Sequence, residues 1–168
     1  TAQALYLQKR TTAAAAVRHV HNGDTIIVPT GVGEPPTLLT ELSTQRHSFH
    51  DVKVAQILAV RKYAYFDPET VANVRHVALF YGPASRAGGQ AGWVDFTPNY
   101  FSEIPAQIER GQIPANVVFS MASPMDAHGY FSLSLGADYT MAALTQARAV
   151  VLEVNPNVPF AYGNCLVP

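Results

Sequence analysis

Short apolar runs alternate with longer segments of mixed polarity along most of the chain. The runs are rich in valine and isoleucine, which favours strands buried on both faces of a sheet: 24–29, 52–59, 77–81, 117–122 and 149–154. The intervening segments favour helices: 11–21, 36–45, 68–74, 103–111 and from Asp138 to about 147. This strand–helix alternation predicts an α/β fold with a parallel or mostly parallel sheet covered by helices.

The stretch 120–139 carries the most polar chemistry, because the strand at 117–122 leads directly into a turn-rich loop. Three polar side chains lie in that loop, which proline and glycine punctuate: Ser123, Asp126 and His128. A second short strand at 130–135 leaves the loop, and Asp138 offers a side-chain oxygen that can cap the next helix. Polar side chains at the end of a buried strand are typical of the ligand crevice of an open α/β sheet. We therefore expect one edge of a site here.

A glycine turn, TGVGEPP at 30–36, joins the first strand to the helix at 36–45. Such a turn presents backbone N–H groups and the positive end of a helix dipole to an anion or a carbonyl oxygen. It is neither a dinucleotide fingerprint nor a P-loop, because the third glycine and the Gly-Lys-Ser/Thr element are missing. The residues alone leave two interpretations open: a tight turn between strand and helix, or a turn that contacts a ligand.

The segment 85–92, SRAGGQAG, is predicted to be a glycine-rich loop with one cation, Arg86. Aromatic residues follow at once, which argues for packing and against a disordered linker: Trp93, Phe96, Tyr100 and Phe101. Two interpretations stay open here as well. The segment is either a surface loop folded over these rings or a mobile loop whose Arg86 pairs with a carboxylate or phosphate.

Composition narrows the class of protein. The 168-residue chain is 48% apolar and 14% charged with a net charge of −1, so nothing favours binding to nucleic acid or to an anionic membrane. Low charge density predicts apolar surface that faces another domain or subunit, and we expect a homo-oligomer. A lone cysteine, Cys165, excludes an internal disulfide and favours a reducing, cytoplasmic location. No apolar run approaches the roughly 20 residues of a membrane span.

Spacing disfavours both a hydrolytic triad and a metal site. Ser123, Asp126 and His128 lie within six residues on one turn, whereas triad members normally converge from separate segments, and no Gly-x-Ser-x-Gly elbow is present. An Asp-x-His metal pair lacks further ligands at a suitable spacing. We expect Asp126 and His128 to stabilise their loop by hydrogen bonds, and Cys165 to be an inert thiol.

Four segments, taken in order, resemble the N-terminal domain of the acetyl-CoA hydrolase/transferase family, which includes 4-hydroxybutyrate CoA-transferase and succinyl-CoA:acetate CoA-transferase. They are PTGVGEPPTLLTEL at 29–42, GPASRAGGQAGWVDFTPNYFSEIP at 82–105, SPMDAHGYFSLSLGADYT at 123–140 and VLEVNPNVP at 151–159. The resemblance implies the CoA-transferase (NagB/RpiA-like) fold. It also implies that residues 1–168 are a single N-terminal domain, truncated from a longer two-domain chain.

The resemblance further implies the chemistry. In such transferases a glutamate of the C-terminal domain attacks the acyl-CoA thioester and then carries CoA as a glutamyl-CoA thioester. Coenzyme A is a substrate, and no cofactor is bound permanently. We assign no catalytic residue to this chain, and of its glutamates only Glu34 stays open as a nucleophile. The family's loops imply a wall for substrate and CoA: Gly31, Val32, Gly33, Glu34, Pro35, Arg86, Gly88, Gly89, Tyr100, Ser123, His128 and Gly129.

The function that follows is transfer of CoA between an acyl-CoA (acetyl-, butyryl- or 4-hydroxybutyryl-CoA) and a small carboxylate such as acetate. The expected partners are these two substrates and the chain's own C-terminal domain. Two alternatives stay open: an acetyl-CoA hydrolase, and a non-catalytic α/β module that binds an acyl-CoA. One departure concerns specificity, since Phe160 stands where many family members have an arginine after the Asn-Pro-Asn-x-Pro segment.

Overall fold

The computed structural model describes all residues, 1–168, and is built on a six-stranded sheet. Its strands are Thr25–Ile27 (β1), Val52–Gln56 (β2), Val74–Ala78 (β3), Asp95–Phe96 (β4), Val117–Ala122 (β5) and Ala149–Val154 (β7). They run in the order β4-β3-β2-β1-β5-β7, and every neighbouring pair is parallel. A small antiparallel sheet pairs Phe131–Ser132 (β6) with Leu166–Val167 (β8). The predicted α/β fold with a mostly parallel sheet is confirmed.

Helices cover both faces of the sheet. They are Ala2–Lys9 (α1), Ala13–Ala16 (α2), Pro36–Thr44 (α3), Arg86–Ala91 (α4), Ile104–Glu109 (α5) and Thr140–Gln146 (α6). Side chains along β1 and the residue after it alternate between the faces: Ile26 and Val28 pack with α2 and α3, whereas Ile27 packs with α5 and α6. No helix is both long and apolar enough to cross a membrane.

The strand order reverses once, between β1 and β5. Strands β1 to β4 extend to one side of this point, while β5 and β7 extend to the other. In open α/β sheets the crevice outside the carboxyl ends of the two strands at such a switch point is where ligands bind. The fold therefore places the segments that follow β1 and β5 at the same edge.

Local signals for two helices are confirmed. Helix α3 begins at Pro36, as predicted for a residue whose missing N–H needs no partner, and it buries Leu38, Leu39 and Leu42. At the start of α6 the Asp138 carboxylate accepts hydrogen bonds from the N–H and the hydroxyl of Thr140, at 3.0 and 2.8 Å.

Two predictions around the third strand were wrong. The strand lies at Val74–Ala78 and not at 77–81, because His76 is buried among aromatic rings and Arg75 is paired with Asp95, so polar residues occupy the strand itself. The helix predicted at 68–74 is a single 3₁₀ turn, Pro68–Thr70. The Asp67 carboxylate that could have capped it is paired with Lys62 at 2.8 Å.

Three further segments differ from their predictions. The glycine-rich segment 85–92 is not a loop, since it contains α4, which ends at Gly92 in a left-handed conformation. The helix predicted at 11–21 is shorter: α2 continues as a 3₁₀ turn, Val17–His19, and the His21 N–H donates to Asp24. Of the strand predicted at 130–135 only β6 forms, because a 3₁₀ turn at Ser134–Gly136 interrupts it.

Candidate functional site

Two glycine turns meet at the switch point. The turn Gly31–Gly33 follows β1, and the turn Ser134–Gly136 precedes α6. They touch through glycine backbones: a Cβ on Gly33 would lie 2.9 Å from Gly136 Cα, and one on Gly136 would lie 2.7 Å from Gly33 Cα. No side chain fits between the turns, so both positions require glycine for close approach.

A cavity of about 170 Å³ lies beside this contact. Three parts of the chain line it, together with Met121 and Leu133. They are Val32 and Gly33 of the first turn, Ser134–Gly136 of the second turn, and Asn157, Val158 and Pro159 after β7. None of the lining residues is charged. The cavity is far smaller than the roughly 300–1,000 Å³ of sites for drug-sized ligands. It can hold a short chemical group and not a whole nucleotide-bearing coenzyme.

Ser134 combines two unusual features at the wall of this cavity. Its φ of 52° lies in the left-handed region, which residues other than glycine, asparagine and aspartate seldom adopt. Its hydroxyl oxygen is buried and has no hydrogen-bond partner. Strained backbone and unpaired buried polar atoms concentrate where a structure serves function, so Ser134 joins the candidate site although its sequence pattern gave no signal.

The glycine turn offers one free amide. The N–H groups of Gly31, Gly33 and Glu34 donate within the chain, to Leu58, Thr30 and Gly31 respectively, at 3.0–3.2 Å. The Val32 N–H has no acceptor in the chain, and Val32 is 65% exposed and lines the cavity. A single backbone donor at the cavity rim is suited to a carbonyl or carboxylate oxygen.

The N-terminus of α3 is already occupied. The Glu153 carboxylate, from β7, accepts hydrogen bonds from the Thr37 N–H and hydroxyl and from the Leu38 N–H, at 2.9, 2.7 and 3.0 Å. An internal carboxylate thus caps the helix and complements its dipole. The helix end is consequently not available to a ligand anion in this structure, and the turn itself is the part that faces the cavity.

Glu34 anchors the glycine turn from below. It is only 5% exposed, and its carboxylate accepts hydrogen bonds from Gln56 Nε2, the Val60 N–H and the Tyr63 hydroxyl, at 2.9, 3.0 and 2.6 Å. Burial, and then the hydrogen bond to Glu34, raise the pKa of Tyr63 well above its ordinary value, which keeps that hydroxyl a donor. The segment 56–63, which supplies all three donors, is thereby tied to the glycine turn through one buried carboxylate, which does not line the cavity.

Asp138 and Tyr139 fix the other side of the switch point. Asp138 accepts a hydrogen bond from the Thr30 N–H at 2.9 Å, in addition to those from Thr140. The buried Tyr139 hydroxyl donates to the Val28 carbonyl and accepts from the Ile57 N–H at 3.2 Å. Burial, and then the Asp138 charge, raise the pKa of Tyr139. The ends of β1 and β2 are therefore joined to the start of α6.

A second hollow, of about 180 Å³, lies further along the same edge of the sheet. Its walls come from the segments after β1, β2, β3 and β4: Thr30, Ile57, Leu79, Phe80, Asn99 and Phe101. Phe80 and Phe101 are exposed there. The two cavities have no lining residue in common, but Thr30 of the second hollow directly precedes the glycine turn that lines the first.

The loop at 123–129 stabilises itself and lines neither cavity. Ser123 is fully buried, donates to the Pro124 carbonyl and accepts from the Ser132 N–H, both at 3.0 Å. The Asp126 carboxylate accepts from the N–H groups of His128 and Tyr130 at 2.9 and 2.8 Å, as expected for a loop-stabilising role. The bond from the Tyr130 N–H is the main cause of a lowered pKa for Asp126.

The remaining candidates lie away from the switch point. Gly88 and Gly89 are packing positions, where a Cβ would clash with Val94 and with the Tyr81 ring at 2.5 and 2.4 Å. Arg86 is exposed at the first turn of α4, with its guanidinium 3.5 Å from the Tyr81 carbonyl. Tyr100 is exposed next to Phe101 of the second hollow. Gly129 has a φ of 93° and packs against Ala2.

The sequence missed the residues that complete the cavity: Met121, Leu133, Ser134, Leu135, Gly136, Asn157, Val158 and Pro159. A glycine following a short strand, as Gly136 does, was the available signal, and it was obscured by the prediction of a continuous strand at 130–135. No group of three His, Cys, Asp or Glu residues is placed to hold a metal ion. Cys165 is buried, with its sulfur 3.3 Å from the Ala161 carbonyl.

Comparison with known proteins decides the family. The sequence model of the acetyl-CoA hydrolase/transferase N-terminal domain family matches residues 1–166. The chain belongs to the acetyl-CoA hydrolase/transferase family. It is 38% identical over 160 residues to a succinyl-CoA:cyclohexane-1-carboxylate CoA transferase from Geobacter metallireducens, which covers 95% of this chain and 36% of that protein. It is 30% identical over 163 residues to a 4-hydroxybutyrate coenzyme A transferase from Clostridium kluyveri, covering 97% and 38%.

Solved structures agree with the family assignment. RipA from Yersinia pestis superposes with a TM-score of 0.90 at 28% identity, covering 99% of this chain and 41% of RipA. A 4-hydroxybutyrate CoA-transferase from Porphyromonas gingivalis gives a TM-score of 0.74 at 25% identity, covering 99% and 38%. The chain therefore spans well under half the length of the family members that it matches.

Proposed function

We propose that this chain is the N-terminal half of a CoA-transferase that moves CoA between an acyl-CoA and a small carboxylate. One observation carries the proposal: in a member of this family, two glycine turns meet at the topological switch point and leave a free amide beside a small cavity. This arrangement gives a wall for an acyl group and a donor for its carbonyl oxygen. The wall holds no nucleophile, which a second domain supplies.

In the proposed reaction, a glutamate carboxylate of the C-terminal portion attacks the thioester carbonyl. The C–S bond breaks, CoA leaves as the thiolate, and an acyl-glutamyl anhydride forms. The thiolate then attacks the glutamyl carbonyl, which releases the acyl group as its carboxylate and leaves a glutamyl-CoA thioester. The acceptor acid reverses these steps. The thioester's free energy is thereby passed to the acceptor, whereas attack by water would lose it.

Glu34 is not the nucleophile in this scheme. Its carboxylate is buried beneath the turn and engaged by three donors, so attack on a thioester would require breaking the contacts that hold the turn. This chain's roles are to shape the acyl wall, to orient the carbonyl through the Val32 N–H, and to exclude water beside the apolar cavity.

The test is intact-mass spectrometry of the complete protein after incubation with acetyl-CoA and no acceptor. We expect a covalent CoA adduct, removed by adding acetate, and no adduct on residues 1–168 alone. Free CoA without an adduct would indicate a hydrolase. Neither adduct nor CoA release with acetyl-, butyryl- and 4-hydroxybutyryl-CoA would indicate a binding module, and an adduct on the isolated chain would place the nucleophile within it.

A further inference from the structure

The cavity beside the two glycine turns has uncharged walls. Of its ten lining residues, none carries a charge, and the aliphatic members come from three separate segments: Val32 after β1, Leu133 and Leu135 after β6, and Val158 after β7. Its polar features are amide and hydroxyl groups, which Asn157 and Ser134 contribute. Phe160, beyond the rim residue Pro159, packs against Tyr162 with ring centroids 5.1 Å apart. The segment after β7 thus adds an aromatic pair and no cation.

We infer that this cavity takes the hydrocarbon part of the substrate's acyl group, so that the enzyme prefers monocarboxylates to dicarboxylates of the same length. The inference rests on the proposed transferase function and specifies its substrate class. A second carboxylate at the far end of the acyl chain would meet no charged partner on the walls that this chain supplies, and a charge without a partner is strongly disfavoured there. A methyl terminus would gain from the same walls.

Size and position agree with this occupant. At about 170 Å³ the cavity suits a chain of a few carbons, and Val32, whose N–H has no acceptor in the chain, is one of its lining residues. The second hollow, at about 180 Å³, is similar in size, but Val32 is not among its lining residues, of which only Thr30 follows β1. The cavity at the switch point is therefore the acyl subsite.

Leu135 gives a direct way to change the charge of this wall. It lines the cavity yet is 72% exposed, so substitutions there do not disturb the core. The variants Leu135→Arg and Leu135→Glu add opposite charges at one position and so separate charge from bulk. Phe80→Arg is the matched control, because Phe80 lines the second hollow and is 55% exposed.

The experiment measures kcat/KM of the complete protein for acetate, propionate, butyrate and succinate as CoA acceptors, with thermal melts to verify folding of each variant. We expect kcat/KM to rise from acetate to butyrate by up to about fourfold per methylene, and butyrate to exceed succinate. Leu135→Arg should narrow the butyrate-to-succinate ratio by roughly tenfold, the worth of a charge-assisted hydrogen bond. Leu135→Glu should widen it, and Phe80→Arg should leave it unchanged.

Three results would overturn the inference. They are a wild-type preference for succinate, a ratio that is the same in both Leu135 variants, and a ratio that changes only in Phe80→Arg, which would move the acyl group to the second hollow. Each of these leaves CoA exchange intact and hence the transferase function standing. Absence of exchange with every acid would instead overturn the transferase function, and this inference with it.

Discussion

The two halves of the sheet's carboxyl edge are held in different ways. At the switch point, carboxylates and a hydroxyl join strand ends to other segments: Glu34 bonds to the segment 56–63, Asp138 to Thr30, and Tyr139 to the ends of β1 and β2. On the outer side, around β3 and β4, rings stack on rings, as in Phe66 on His76 and Tyr81 on Phe96, with centroids 4.2 and 4.6 Å apart. Hydrogen bonds fix atomic positions, whereas stacked rings fill volume. The cavity lies where position is fixed.

Removing the Glu34 carboxylate should destabilise the switch-point region more than any other substitution considered below. Glu34→Ala leaves the Val60 N–H and the Tyr63 hydroxyl without an acceptor and removes one of the two acceptors of Gln56 Nε2. We expect it to lower the free energy of unfolding by about 3 kcal/mol. Urea denaturation of the chain measures the loss. Glu109→Ala, at an exposed position of α5, should change stability by no more than about 0.5 kcal/mol. A loss below about 1 kcal/mol in Glu34→Ala would mean that the donors find other acceptors and that the turn is held by other contacts.

Adding one methyl group tests the two regions against each other. Gly33→Ala places a Cβ 2.9 Å from Gly136 Cα, a backbone atom that cannot move alone, whereas Gly82→Ala places one 2.6 Å from Leu58 Cδ1, the end of a flexible side chain. We expect losses of about 1–3 kcal/mol for Gly33→Ala and under about 1 kcal/mol for Gly82→Ala, from denaturation midpoints. In the complete protein, Gly33→Val should impair CoA exchange while the fold persists. Equal losses at the two glycines would contradict the distinction.

In the aromatic region, the buried His76 makes the stability of the fold depend on pH. Burial lowers the pKa of His76 to about 3, and its Nδ1 has no hydrogen-bond partner. Because this is below the unfolded value of about 6.5, the unfolded chain binds the proton first, and stability falls as the pH drops from about 6.5 towards 3. We expect a loss of about 2 kcal/mol between pH 7 and pH 5. His76→Leu should flatten this slope, and His47→Gln, at an exposed position, should keep it; a slope unchanged in His76→Leu would disprove the assignment.

The smallest effect is expected at the outer strand. Arg75 and Asp95 join β3 to β4 at 2.8 Å, but their side chains are 30% and 41% exposed. Solvent screening limits such a pair to below about 1 kcal/mol. Asp95→Asn should therefore lower stability only slightly, and the difference from wild type should vanish in 1 M salt. A salt-independent loss of several kcal/mol would show that the outer edge also depends on a fixed polar contact.

Elements whose determining residues all lie within one segment were predicted correctly from the sequence. Strand β5 and helix α3 were placed correctly because apolar spacing and a first-position proline act within one segment. The strand at 74–78 was missed because His76 and Arg75 find their partners in other segments. Helix α4 was not predicted because Gly88 and Gly89 are typical of a loop, whereas in the structure Gly88 is packed against Val94 and Gly89 against the Tyr81 ring.

The candidate site divides in the same way. The glycine turn at 31–33 could be predicted, since strand, glycine and helix follow one another in sequence. Its partner at 134–136 could not, because the need for Gly136 arises only when another glycine lies against it. The loop at 123–129 looked chemically richer, yet its polar groups satisfy one another. Polar residues in a loop therefore marked the correct strand end and not the cavity.

The contact between Gly33 and Gly136 also limits how this domain can evolve. A clash between two side chains can usually be relieved by a smaller residue on the opposite side. Here both positions already hold the smallest residue, so no second substitution compensates for a first. We therefore expect Gly33 and Gly136 to stay unchanged among related sequences. New specificities must then arise at other lining residues of the cavity, such as Val32, Leu135 and Val158.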